Sequence, residues 1–270
     1  GMGLERALCV LNGKSSVYET DIFEGAIAKI AEQNLTPKAK KYLTKYLDGK
    51  SIAHFASHAD YYKKDWLVDV GFEPSNAKRM VTYPHTLCVN EDFTVPKGVR
   101  DGDKFVKNCV YYTDQMIQEL KANHRDMDDS VRFVRIAIVL HMIGDMHCPA
   151  HIRYKDNDLA GKFTVYYKNQ KMDMHELWDN ALLIDRHPWG FSDLAALLDT
   201  FNKKQKAEIM SGTIYDWGYE SARCSRHVHD VEPGTKLQRL PYMNANFPLL
   251  ESQLRKAGYR LAAVLNDIFK

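Results

Sequence analysis

The stretch SVRFVRIAIVLHMIGDMHCPAH, residues 130–151, says most about how this chain folds. From Ser130 onward it is largely apolar, and Pro149 marks where a helix must stop, so the pattern predicts one long helix over about 130–147. His141 and Asp145 stand four residues apart near its end, a spacing that stacks both side chains on one face within reach of a single ion. The run Ile136 to Ile143 around them is apolar, and a buried imidazole and carboxylate are costly there unless they pair or bind metal. Just past the helix stop, six residues after Asp145, comes His151.

The same spacing recurs downstream. In MHELWD, residues 174–179, His175 and Asp179 are again four apart on an expected second helix, about 174–184. Any one of these histidines, taken alone, reads as a satisfied core residue. Two H-x-x-x-D pairs with a third His beyond a helix end favour a metal site instead. Imidazole with carboxylate is what zinc takes at catalytic sites that keep a position open for water, and helical proteins build such sites from inward-facing side chains. His147 and Cys148, beside the cluster, read as structural.

Helical periodicity dominates the rest. Ile27, Ile30, Ala31 and Leu35 follow helical spacing, and Thr36-Pro37 reads as the cap and first position of a helix over 38–47. Further helices are expected over about 51–62, 106–123, 192–200, 205–226 and 248–268. Residues 71–103 are punctuated by proline and glycine and read as irregular. FTVYYK, residues 163–168, is the convincing strand, with Asn169-Gln170 as its turn. The fold class that follows is mainly α, one multi-helix domain over residues 19–270 with at most a short β-hairpin, behind an N-terminal extension over 1–18.

Composition bounds the function. A net charge of +2 is too small to attract polyanions in bulk, so phosphate recognition must be local. No run approaches the roughly 18 apolar residues of a membrane span. Five cysteines without a CxxC pair leave disulfides and compartment open. The first residues are too polar for a signal peptide. No protein partner is inferred.

HMIGDMHCPAH followed by HELWD closely resembles the zinc-dependent single-strand nucleases and 3′-nucleotidases of the S1/P1 type, in the phospholipase C/nuclease superfamily. The family pattern is H-x-x-x-D-x-x-x-x-x-H, then H-x-x-x-D with a Trp before the last Asp, here Trp178. ASHAD (56–60), Pro84-His85, IAKIAEQNLTPKA (27–39) and AGYRLAAVLN (257–266) resemble further family segments, so the likeness runs in order from about residue 18 to 268. It implies a phospholipase C/nuclease-like fold and a secreted or periplasmic protein. One zinc ion would be held by Asp60, His85, His141 and Asp145, and a second by His151, His175 and Asp179. Asp60 would also orient the catalytic water. The substrate implied is single-stranded DNA or RNA, or a 3′-nucleotide, cleaved at the P–O3′ bond to leave a 5′-phosphate.

Three departures stand out. The family's third zinc uses an N-terminal Trp and a nearby His, where this chain has Glu19 and Glu24. Glu24, helped by Glu19 or Asp21, is either a carboxylate substitute for that ligand or a first-turn acid favoured by the helix dipole. Thr86 follows His85 where the family has an aromatic residue, and Leu159-Ala160-Gly161-Lys162 replaces its Gly-Gly-Asn stretch, leaving Lys162 as a candidate phosphate contact. Other readings are a zinc phospholipase C-like esterase, whose lipid-facing segment would be residues 65–72, and a metal-binding homologue with weakened catalysis. Arg223, Arg226, His227 and His229 read as an ordinary polar helix face.

Overall fold

Apolar helical stretches this long must be buried against one another, and the computed structural model shows how; it describes residues 22–61, 87–89, 109–154, 161–187 and 190–270. The hub is α1, Ile22–Gln33, buried along most of its length from Phe23 to Ala31. Thr36 caps α2, Pro37–Tyr46, by accepting from the Ala39 N–H at 3.2 Å, with Pro37 in the first turn as the sequence implied. The helix expected over 51–62 is instead a 3₁₀ turn, Ile52–His54, followed by the short α3, His58–Tyr61.

After β1, Leu87–Val89, comes α4, Cys109–Asn123, which pairs with α5, Asp129–Asp145. Asp128 caps α5, its carboxylate accepting from the Ser130 N–H at 2.9 Å. Every residue from Ile136 to Ile152 is buried, as expected of a helix apolar on all sides. A 3₁₀ turn, Pro149–His151, leads into β2, Ile152–Tyr154, which runs parallel to β1.

The expected hairpin is present as β3, Thr164–Tyr167, against β4, Gln170–Asp173. Its turn lies one residue earlier than the sequence suggested, at Lys168 and Asn169, whose φ of 52° and 61° are those of a type I′ turn. A short β5, Lys236–Leu237, adds in parallel beside β3. The fold is mainly α, as expected, with two further short pairings in addition to the expected hairpin.

The helix foreseen over 174–184 begins as α6, Met174–Glu176, then widens into a π-helical turn, Leu177–Ala181, before α7, Leu182–Arg186. Next come α8, Phe191–Leu198, and α9, Lys203–Met210. The single helix expected over 205–226 is broken, because Gly212 has φ +88° and Thr213 with Asp216 forms a capping box that starts α10, Ile214–Cys224. Then α11, Arg226–His229, precedes α12, Arg239–Ile268, which starts nine residues ahead of the expected 248. Pro248 does not stop α12: an interior proline costs about 3 kcal/mol, but burying Met243 and Phe247 before it contributes about 1.5–3 kcal/mol each.

The α1–α12 contact is close enough to require glycine. A Cβ on Gly258 would meet Ile30 Cβ and Cγ2 at 2.5 Å and the Ile27 carbonyl at 3.2 Å. Helix propensity favours alanine over glycine by about 1 kcal/mol, whereas overpacking costs about 1–3 kcal/mol; with two atoms at 2.5 Å, overpacking wins. Gly258→Ala is therefore expected to lower stability by about 1–2 kcal/mol in urea unfolding, and a variant as stable as the wild type would show that the helices separate freely.

Candidate metal centre

Because α5 is buried on all sides, its last two turns hold His141 and Asp145 in the interior, each 1% exposed. His141 Nδ1 donates to the Ala56 carbonyl at 3.0 Å, which leaves Nε2 facing Asp145 Oδ2 at 3.2 Å. A backbone carbonyl on one ring nitrogen is the usual way a metal-binding imidazole is oriented.

The chain then turns tightly. The Cys148 N–H donates to the Asp145 carbonyl at 3.0 Å, and the His151 N–H to the Cys148 carbonyl at 3.0 Å. This turn brings His151, 6% exposed, back against α5. His151 Nδ1 lies 3.9 Å from Asp145 Oδ1, and its Nε2 lies 3.7 Å from Asp179 Oδ2. Asp145 thus presents one oxygen to each of two histidines. Burial holds His151 below its ordinary pKa against the opposing pull of Asp145 and Asp179, so its ring is neutral, the form that ligates metal.

His175 and Asp179 arrive from the π-helical segment, with His175 Nε2 3.2 Å from Asp179 Oδ2. The π turn is closed by the Leu182 N–H on the Leu177 carbonyl and anchored by Trp178, fully buried, whose indole N–H donates to the Tyr242 hydroxyl at 3.0 Å. The His175 backbone N–H donates to the Gly161 carbonyl at 3.0 Å. Gly161 has φ +72°, and a Cβ there would press on the Ala150 carbonyl at 3.0 Å, so glycine lets the hairpin deliver His175 beside His151. The two rings meet edge to face, 4.2 Å between centroids.

Two ligands each about 2.1 Å from one zinc ion, at a tetrahedral angle, stand about 3.4 Å apart. The 3.2 Å and 3.7 Å that Asp179 Oδ2 keeps from His175 and His151 are near that, as is the 3.2 Å between His141 and Asp145, while His175 stands outside the groups whose ligand atoms all lie within 4.8 Å. Among the described residues, Glu24, His141 and Asp145 form one group whose ligand atoms all lie within 4.8 Å, and Cys148, His151 and Asp179 form another. Glu24 is 6% exposed, its Cγ 3.5 Å from where a Cβ on Gly144 would stand.

The remaining expected site residues are placed less fully. The backbone of Asp60 lies in α3, which packs on α5. His85, Glu19, Asp21, Thr86, Asn157 and the 65–72 segment fall outside the described residues. Lys162 is exposed and follows Gly161 beside the second group. The Arg223–His229 run forms a surface: the His229 Nε2–H donates to the Ile152 carbonyl at 2.9 Å, and His227 Nδ1 meets Asn246 Oδ1 at 2.9 Å. Sequence reasoning missed the contact of Cys148, whose thiol donates to Asp179 Oδ1 at 3.0 Å; no spacing rule signals it.

His147 is structural, as read from the sequence. Its Nδ1 donates to the Ile143 carbonyl at 2.7 Å and its Nε2 accepts from Arg260 at 2.9 Å. Arg260 also binds Glu220, and Gln253 donates to the His147 carbonyl at 2.9 Å, so α12 braces the turn from behind.

The family model of the S1/P1 Nuclease matches residues 25–270, and the chain belongs to that family. Three Arabidopsis thaliana proteins are similar over most of their length. Endonuclease 4 is 24% identical over 282 residues, covering 90% of this chain and 86% of the relative. Endonuclease 5 is 25% identical over 267 residues (88% and 84%), and Endonuclease 3 is 25% identical over 275 residues (90% and 86%). Family membership makes the chain a metal-dependent hydrolase of phosphate ester bonds in nucleic acid. No helix among the described residues is long and apolar enough to cross a membrane.

Burial and the Arg260 guanidinium pull His147 down to about 3 from an ordinary 6.5. The unfolded chain therefore takes up a proton that the folded chain refuses. The stability this contributes is complete above about pH 6.5 and is lost as pH falls toward 3. In chelator-treated protein, His147→Gln should lose stability less steeply than wild type between pH 6.5 and 5, read by urea unfolding; identical slopes would count against the neutral brace.

Proposed function

We propose that the chain is a zinc-dependent phosphodiesterase that hydrolyses single-stranded nucleic acid, and phosphomonoesters of the 3′-nucleotide type, at the P–O3′ bond. The observation that carries this reading is Asp145, a buried carboxylate with one oxygen toward His141 and the other toward His151, which joins two donor groups into one centre. In this reading Asp60, His85, His141 and Asp145 hold one ion, and His151, His175 and Asp179 hold another. Zinc so held supplies a nucleophilic water of lowered pKa and offsets the charge that builds on phosphorus.

The chain's own groups do the rest. Asp60 is the residue assigned to orient the attacking water. Neutral His151 presents a lone pair without first losing a proton, and the Ala56 carbonyl orients the His141 ring. Lys162, exposed beside the second group, is the residue assigned to meet a substrate phosphate.

Glu24 is proposed as the carboxylate that extends the first group toward a third ion. The alternative, a first-turn acid interacting with the helix dipole, is worth about 0.3–1 kcal/mol at an exposed site. The support for the ligand reading is that Glu24, 6% exposed, brings a carboxylate oxygen within 4.8 Å of ligand atoms of His141 and Asp145. The names of the relatives support nucleic acid ahead of lipid as the substrate class.

The test is a panel of single-stranded DNA, RNA, 3′-AMP and phosphatidylcholine. Turnover of the single strands or 3′-AMP, abolished by chelator and restored by zinc, is the expected result. His175→Ala should lower it by more than about a hundredfold, beyond the 10–100-fold that losing an outer-shell partner costs. Turnover confined to phosphatidylcholine, or activity indifferent to chelator, would overturn the proposal.

A further inference from the structure

Cys148 occupies an unusual place for a buried thiol. It is fully buried, it caps the 3₁₀ turn that ends in His151, and its side chain reaches across to a residue 31 positions away. Its Sγ donates to Asp179 Oδ1 at 3.0 Å. The two imidazoles face the other oxygen, with His175 Nε2 at 3.2 Å and His151 Nε2 at 3.7 Å from Oδ2. The Asp179 carboxylate is therefore divided: Oδ1 takes the thiol and Oδ2 faces the nitrogens.

We propose that Cys148 is a positioning residue for the second ion, fixing the Asp179 carboxylate so that Oδ2 alone points at the histidines. The inference rests on the reading of His151, His175 and Asp179 as metal ligands. A carboxylate carried on a wide π turn has more than one rotamer open to it. A hydrogen bond on its far oxygen removes that freedom, as outer-shell partners of metal ligands do. The thiol is tied to the ligands through the backbone as well, since the Cys148 N–H binds the Asp145 carbonyl and the Cys148 carbonyl receives the His151 N–H. One residue thus links the end of α5, the His151 turn and the π segment. The Sγ lies within 4.8 Å of ligand atoms of His151 and Asp179, within reach of a shared ion, but its contact is not with the oxygen that the imidazoles face. It is with the other oxygen.

The experiment is zinc affinity by chelator competition on the full chain, comparing wild type, Cys148→Ala, Cys148→Ser and His175→Ala, together with the absorption spectrum of the cobalt-loaded wild type. Cys148→Ala is expected to weaken one metal equivalent by about 10- to 100-fold and leave the others unchanged. Cys148→Ser, whose hydroxyl still donates, should recover most of that loss, which a purely packing role would not produce. The cobalt-loaded protein should lack the intense near-ultraviolet band of a thiolate ligand.

Unchanged affinity in Cys148→Ala, with one equivalent lost in His175→Ala, would overturn the positioning role alone. A strong thiolate band that vanishes in Cys148→Ala would also overturn it, by making the sulfur a direct ligand. Wild-type metal binding in His175→Ala would overturn the metal reading itself and the positioning role with it.

Discussion

Asp145 is a carboxylate held in an apolar interior, and the surrounding structure is arranged around that constraint. Moving such a group out of water costs several kcal/mol unless partners replace the lost hydration. Here an imidazole faces each of its oxygens, one from its own helix and one from the turn that follows. The turn needs Pro149 to end the helix and the bonded backbone of Cys148 to bend it. Behind it, the neutral His147 takes a hydrogen bond from Arg260, so α12 fixes the back of the site. Fold and site are in this sense one problem, because the helix that makes the core also carries the ligands.

The second donor group depends on a different device. A regular α-helix over 174–184 would also bring His175 and Asp179 together, four residues apart. The chain instead adopts a π turn, a feature common at functional sites. The buried Trp178 is explained by packing: its ring fills the interior and its N–H is spent on Tyr242. Gly161 contributes through its backbone, since only a residue at ease with positive φ lets the hairpin lie against Ala150 and hold His175 in place.

Much of this was legible in the residues. The two H-x-x-x-D pairs, the Pro149 stop, the capped helix at Thr36-Pro37 and the hairpin all rest on local rules of spacing, capping and alternation, and those rules held. What was not legible depends on contacts between distant segments. Pro248 reads as the start of the last helix, but the helix already runs from Arg239, because the burial of Met243 and Phe247 outweighs an interior proline. Gly212 with the Thr213–Asp216 box divides a helix whose periodicity runs straight through. The π turn and the Cys148–Asp179 contact leave no trace in spacing, because each is set by what packs against it. Glu24 fell between: its type was readable as an acid in a first turn, while its burial beside Asp145 came only from the fold.

The claim on which the account turns is that Asp145 serves both donor groups, as a ligand in the first and through His151 in the second. Metal content per chain, measured by mass spectrometry on wild type and on Asp145→Ala checked for native circular dichroism, addresses it directly. The account predicts that the variant loses metal from both groups, more than one equivalent relative to wild type. Metal content equal to wild type, or a loss confined to a single equivalent, would contradict it.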